Sequence, residues 1–205
     1  MTVCQLSLGK LDTNCYIVWS DNGEAFVIDP ADEAERILRV IEEKQITVKA
    51  VILTHVHFDH MLAARAVCDA VDAPLWVGSG DEVALGDPMK NLSGLFSPGN
   101  EVRLRADRFL REGDTLTIGN TAFTVWETPG HTPGCICLIG ETAVFSGDVL
   151  FCGSIGRTDF PGGDVPAMMN SLRRLVALPS ELAVYSGHGP VTTIGREKQT
   201  NPFLR

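Results

Sequence analysis

Positive charge is scarce in this chain: 17 Lys and Arg face 26 Asp and Glu, a formal net charge of −9. That shortage excludes a basic footprint for nucleic acid or an anionic membrane. Long apolar runs are missing too, and none reaches the roughly 18 residues a membrane helix needs. The start, Met1-Thr2-Val3-Cys4-Gln5, lacks the cationic stretch and apolar core of a secretion signal. A soluble, cytoplasmic protein is therefore expected. Six cysteines are too few and too scattered for a disulfide framework. Low-complexity tracts and interdomain linkers are absent. The 205 residues, 44% of them hydrophobic, are thus expected to form one domain spanning 1–205. Histidine is also sparse, with five copies at positions 55, 57, 60, 131 and 188.

What is present alternates between two periodicities. Segments 3–8, 13–19 and 25–29 carry strand patterns bounded by Gly, Asn or Pro. Residues 32–44 place Ile37, Leu38, Val40 and Ile41 at helical spacing. A buried strand follows at 48–54, an Ala- and Leu-rich helix at 61–70 and a short strand at 74–77. Between 79 and 100 the pattern dissolves into a loop with a short helix near Glu82, a candidate mobile segment beside a site. Strand signals return at 108–110, 115–118, 122–127, 135–139 and 142–146. A helix at 165–178, a strand at 182–185 and a terminal helix near 193–200 complete the chain. Strands followed by mixed helices and strands in each half suggest two mixed sheets face to face with helices outside, a four-layer αββα sandwich.

The run Thr54-His55-Val56-His57-Phe58-Asp59-His60 packs four metal-capable side chains into six positions. At this composition a chance match has odds of roughly two in ten thousand. In extended chain His55 and His57 project to one side and can grip one ion, while Asp59 and His60 follow after the turn. His131 lies in Thr128-Pro129-Gly130-His131-Thr132-Pro133-Gly134, His188 in Ser186-Gly187-His188-Gly189-Pro190, and Asp148 closes Ser146-Gly147-Asp148. Each follows a strand signal, so Gly and Pro would hold every ligand on a stiff loop at a strand end, all at one edge of the sheets. Five histidines with Asp59 and Asp148 exceed what one tetrahedral ion takes. Two divalent metals sharing a bridging carboxylate are the economical reading. Imidazole and carboxylate without thiolate suit zinc, iron or manganese and do not decide among them; zinc is the working choice.

On these residues the chain resembles the metallo-β-lactamase superfamily, and within it the hydroxyacylglutathione hydrolase (glyoxalase II) branch in a short single-domain form. The resemblance also covers Thr13-Asn14-Cys15-Tyr16, Asp29-Pro30 and the ending Thr200-Asn201-Pro202-Phe203. It implies that His55, His57 and His131 hold one metal, that Asp59, His60 and His188 hold the other, and that Asp148 bridges them. Asp29 would orient a ligand histidine, or alternatively cap the helix beginning near Asp32. Arg157, in the stretch Gly156-Arg157-Thr158-Asp159-Phe160, would contact a glutathione moiety or else form a surface ion pair. Phe151 and Phe160 would line an apolar wall. The helical C-terminal domain of two-domain glyoxalase II has no counterpart here, which leaves glutathione to Arg157 and nearby loops.

The implied reaction is hydrolysis of an S-lactoylglutathione-type thioester. Two close cations make hydroxide available at neutral pH, Asp59 and Asp148 act at the reacting centre, and Asp59 accepts the water proton. A rival within the fold is a mononuclear-iron glutathione persulfide dioxygenase using His55, His131 and Asp148. A non-catalytic metal-binding protein is a second. A secreted β-lactamase is disfavoured by the missing signal and by Asp59, and a nuclease by the charge. Cys135-x-Cys137 is read as two small buried residues on one strand face, not a metal or redox pair. Trp19, Trp76 and Trp126 are read as core. A small-molecule substrate is the expected partner, with no nucleic acid, no membrane and the oligomeric state left open.

Overall fold

The computed structural model describes residues 1–204. β1 (Thr2–Leu8), β2 (Thr13–Trp19) and β3 (Glu24–Ile28) form an antiparallel meander. α1 (Ala34–Lys44) then crosses to β4 (Thr47–Leu53), parallel to β3. α2 (Phe58–Met61) and α3 (Ala64–Val71) lead to β5 (Leu75–Gly78). Beyond α4 (Glu82–Leu85) and α5 (Ser93–Phe96), β6 (Arg108–Leu110) completes a six-stranded sheet in chain order.

The second sheet begins with the antiparallel run β7 (Thr115–Ile118), β8 (Thr121–Glu127), β9 (Ile136–Gly140) and β10 (Ala143–Gly147). A small hairpin follows, β11 (Leu150–Phe151) with β12 (Ser154–Ile155). α6 (Val165–Leu175) then returns the chain to β13 (Ala183–Ser186), which pairs parallel to β10. β14 (Thr192–Thr193) and α7 (Ile194–Thr200) come last. The sheet order is β14-β13-β10-β9-β8-β7.

Strand alternation accounts for the four layers. On β2 and β3, Tyr16, Val18, Phe26 and Ile28 face the other sheet and meet Phe123, Val125, Leu138 and Phe145. Their neighbours Cys15, Ile17, Ala25 and Val27 point the opposite way, against Ile37 of α1 and Val67 of α3. On β9 the same alternation sends Ile136 and Leu138 inward, while Cys137 joins Met168, Leu172 and Leu175 of α6. Each fully buried Leu, Ile or Phe contributes about 1.5–3 kcal/mol, so three apolar layers, not local propensity, hold the helices in place. The expected sandwich is the observed architecture.

Some boundaries shift for physical reasons. The helix expected at 61–70 splits, because Ala63 donates its N–H to the Pro30 carbonyl at 3.0 Å instead of continuing one helix. The one-turn α2 that results begins at Phe58 and carries Asp59 and His60. α1 starts at Ala34, after Glu33 in the left-handed region, with no side-chain cap. The hairpin β11–β12 went unnoticed in the sequence, since two-residue strands leave no period to detect. Trp19, Trp76 and Trp126 are half-buried, not core, and Arg108 and Arg174 stack over the last two. Among the described residues no helix is long and apolar enough to cross a membrane.

Candidate metal centre

The site grows from the ends of β4, β8, β10 and β13. At β4 the anchor is Asp29. One carboxylate oxygen accepts the Thr54 N–H at 2.7 Å. The other accepts the Thr54 hydroxyl at 2.7 Å and lies 3.0 Å from His60 Nδ1. Asp29 is thus spent inside the site, and its alternative reading as a cap for α1 is not what the structure shows. Beyond β4 the chain bends at Thr54 and His55 instead of staying extended, and the rings of His55 and His57 lie with centroids 4.8 Å apart. α2 follows and presents Asp59 and His60, both within reach of His188.

Two loops complete the centre. The His131 loop is clamped by buried Asp81, which accepts the Thr132 hydroxyl and the Gly134 N–H, each at 2.8 Å. The Arg157 carbonyl lies 2.7 Å from His131 Nδ1. A proton on Nδ1 makes that bond and turns the Nε2 lone pair to the centre. The His188 loop is held by the start of β2. Asn14 Nδ2 donates to the Ser186 and Gly189 carbonyls at 2.9 Å each, and the Tyr16 hydroxyl donates to Ser186 at 2.7 Å. Thr13 donates its hydroxyl to Asp59 at 2.9 Å. The motif Thr13-Asn14-Cys15-Tyr16 thus has a structural task that its sequence did not reveal. Asp81 was missed as well, because a single acid in a loop says nothing about its burial. Gly187 is required here, since a Cβ would overlap Asp148 Oδ1.

The seven donors converge in three overlapping groups: His55, His57 and His131; Asp59, His60 and His188; and His55, His60 and Asp148. Within each group the ligand atoms lie within 4.8 Å of one another. Asp148 stands between the two outer trios, with Oδ1 3.4 Å from His60 Nε2 and Oδ2 3.5 Å from His131 Nε2. The same Oδ2 is 3.6 Å from His188 Nε2. Among the described residues four buried side-chain polar atoms have no hydrogen-bond partner: Nε2 of His55, His57 and His60, and Oδ1 of Asp148. An unsatisfied buried polar atom costs about 1–3 kcal/mol, so four of them in one cluster call for a common partner. Nitrogen and oxygen donors of this kind fit divalent cations. The cysteines stay apart, and burial pushes the Cys137 thiol up to about 12.

Electrostatics divide the cluster. Burial, reinforced by neighbouring imidazoles, holds His55 well below the usual histidine range, and burial with His131 lowers His57 to about 3. For His60 burial acts downward too, but Asp148, Asp59 and Asp29 together outweigh it and raise the group. His188 is raised as well, the contact with Asp59 prevailing over burial. Burial would raise Asp59, yet His60, His188 and the Thr13 hydroxyl hold it below the carboxylate range.

Five of the donors, His57, Asp59, His131, Asp148 and His188, line an open cleft of about 450 Å³, with His55 and His60 fully buried. Phe151, Arg157 and Phe160 all border it, where the sequence placed them. Arg157 forms the surface ion pair: Nε and Nη2 each donate to Asp159 at 2.7 Å, and the guanidinium lies 3.9 Å above the Phe160 ring at the edge of the cleft. Leu11, Phe96 and Ile155 add to the wall unforeseen. The 79–100 segment does flank the site, through Leu92 and Phe96.

A family model for the metallo-beta-lactamase superfamily matches residues 8–188. The chain belongs to the metallo-β-lactamase superfamily. Among relatives of this superfamily, it is 39% identical over 195 residues to hydroxyacylglutathione hydrolase GloC of Haemophilus influenzae, covering 93% of this chain and 92% of that one. Among solved structures it resembles BLEG-1, a B3 metallo-β-lactamase, at 40% identity and TM-score 0.94, covering 99% of both chains. A di-iron-bound form of TTHA1623 matches at 38% identity and TM-score 0.88, covering 98% of this chain and 100% of that one.

Proposed function

We propose that this chain is a metal-dependent thioester hydrolase of the hydroxyacylglutathione hydrolase kind, with S-lactoylglutathione-type thioesters as substrates. The observation that carries the reading is the complete seven-donor cluster, Asp59 included, five of whose members line an open cleft. The likeness to GloC supports the thioester over other hydrolysable bonds. In this reading His55, His57 and His131 would hold one divalent ion and Asp59, His60 and His188 a second, with Asp148 available to either. Zinc is the first choice, while the di-iron form of TTHA1623 makes iron the leading alternative. Such ions supply Lewis acidity and a water deprotonated near neutral pH.

The chain's own residues do the rest. Asp59, ionised and oriented by the Thr13 hydroxyl, stands where it can take the proton of the attacking water. Asp29 fixes the ring of His60, and the Arg157 carbonyl fixes that of His131. The apolar wall excludes bulk water from one side of the scissile carbonyl. A thiolate with a conjugate-acid pKa near 8.5 leaves without a dedicated acid.

A β-lactam is the second reading, favoured by the 40% identity to BLEG-1. Metal analysis of freshly purified protein, paired with turnover of S-lactoylglutathione and of a chromogenic cephalosporin, decides between them. Two ions per chain with thioester turnover that exceeds β-lactam turnover is the expected result. Preference for the β-lactam would reverse the assignment. Oxygen uptake with glutathione persulfide and one iron per chain would replace hydrolysis with dioxygenation.

A further inference from the structure

The cleft above the donors is unequal on its two sides. One side is walled by Leu92, Phe96, Phe151, Ile155 and Phe160, and its Arg157 already engages Asp159 and the Phe160 face. The other opens into a second hollow of about 410 Å³, bordered by Lys10, Asp32, Ser97 and Asn100. The two hollows share Leu11, Phe58, Asp59 and Phe96. Phe96 therefore stands at the junction of the two hollows, beside Asp59.

Its position is built. The Phe96 ring stacks on Phe58 at 6.1 Å and meets Phe160 edge-on at 5.9 Å, while Phe160 meets His57 at 5.8 Å. The loop that carries it is tied at its base. Asn91 Nδ2 donates to the Val102 carbonyl, the Ser93 hydroxyl donates to Asn91 Oδ1, and Val102 N–H donates to that hydroxyl. The Asn91 carbonyl accepts the Phe58 N–H at 2.9 Å, joining the loop to α2. Yet Phe96 remains 56% exposed, as Leu11 does at 53%. Large apolar side chains left uncovered around a polar floor are surfaces for a ligand to cover.

Resting on the thioester-hydrolase reading, we propose that the preferred acyl group is apolar and extended or aromatic, lying against the wall that Phe96 and Phe160 form together, and that Phe96 sets this preference. The polar carrier leaves through the hollow lined by Lys10, Ser97 and Asn100. A lactoyl group, with a single methyl, would cover little of this wall. Each further methylene buried contributes about four-fold in kcat/KM.

The test uses the metal-loaded full chain and the S-acetyl, S-lactoyl, S-butyryl, S-hexanoyl and S-benzoyl thioesters of glutathione. Specificity is expected to climb about four-fold per methylene until the wall is covered. Phe96→Ala should flatten the climb, Phe96→Leu should keep part of it, and both should retain wild-type metal content. A profile that is flat or falls from lactoyl to hexanoyl, or one that Phe96→Ala leaves unchanged, overturns the proposal. Calorimetric binding of the non-hydrolysable S-methyl, S-butyl and S-hexyl glutathiones decides the same point without turnover. Affinity rising along that series and levelled by Phe96→Ala supports the grip; equal affinities refute it. Absence of turnover for every thioester would refute the hydrolase reading separately.

Discussion

The two ligand trios are built from nearly the same residue types but stand in opposite electrostatic states. His55, His57 and His131 are all imidazole and all buried, and burial favours the neutral rings of His55 and His57. Asp59, His60 and His188 mix carboxylate with imidazole, and there the histidines are drawn toward protonation. His188 is also the most open of them, with its side chain 32% exposed. The first trio offers lone pairs that cost nothing to expose to a cation. In the second, Asp148 and Asp59 draw His60 toward protonation, so a cation there would compete with that proton. Similar donors thus make a site ready for metal and a site that competes with acid.

Breaking the residue that joins the trios should have the largest effect. Asp148→Ala removes the carboxylate within 3.6 Å of His60, His131 and His188. Turnover is expected to fall by about a thousand-fold or more, several kcal/mol of barrier, with loss of metal measured by elemental analysis. Next comes acid. Because His60 and His188 are raised while His55 and His57 are lowered, protons compete harder at the second trio. Dialysis at stepwise lower pH should therefore empty the Asp59–His60–His188 position first, passing through a one-metal plateau. Simultaneous loss of both ions would remove the distinction.

A smaller effect is expected from Asp29→Asn, which weakens the support of His60 but not of His57. Affinity for the second ion should drop about 10–100-fold, read by chelator competition, with the first ion retained. The smallest effect lies farthest out. Glu197, fully buried on α7, accepts hydrogen bonds from Gly153 N–H at 2.7 Å and from the Thr192 hydroxyl and Asn201 Nδ2. It thereby pins the turn of the hairpin that carries Phe151 and Ile155. Glu197→Gln should raise KM several-fold and lower stability by about 1–3 kcal/mol, leaving both metal positions filled.

This gradient matches what the sequence could reveal. The donors were legible because histidine is rare in this chain, three copies crowd into positions 55–60 after a strand signal, and His131 and His188 sit in Gly and Pro punctuation after strand signals. The four layers were legible because alternation on β2, β3 and β9 survives in plain residue order. Asp81 and Glu197 were not, since burial of a lone acid depends on partners from elsewhere, Thr132 and Gly134 for one, Gly153 and Thr192 for the other. Phe96 was hidden for the same reason. Its partners Phe58 and Phe160 are brought to it only by the tied loop and by the chain beyond Asp148. Arg157 shows the limit in another form: the ion pair posed for it from the sequence is present, and it stands at the edge of the cleft, where a substrate contact would have to share it with Asp159.

The central claim is that two cations share Asp148, one in each trio. Its most direct test is crystallography of the metal-loaded protein at neutral pH, using anomalous scattering at the metal edge. The account predicts two peaks, one among His55, His57 and His131 and one among Asp59, His60 and His188, with Asp148 touching both. A single peak held by His55, His131 and Asp148, with Asp59 and His188 free under saturating metal, would contradict it.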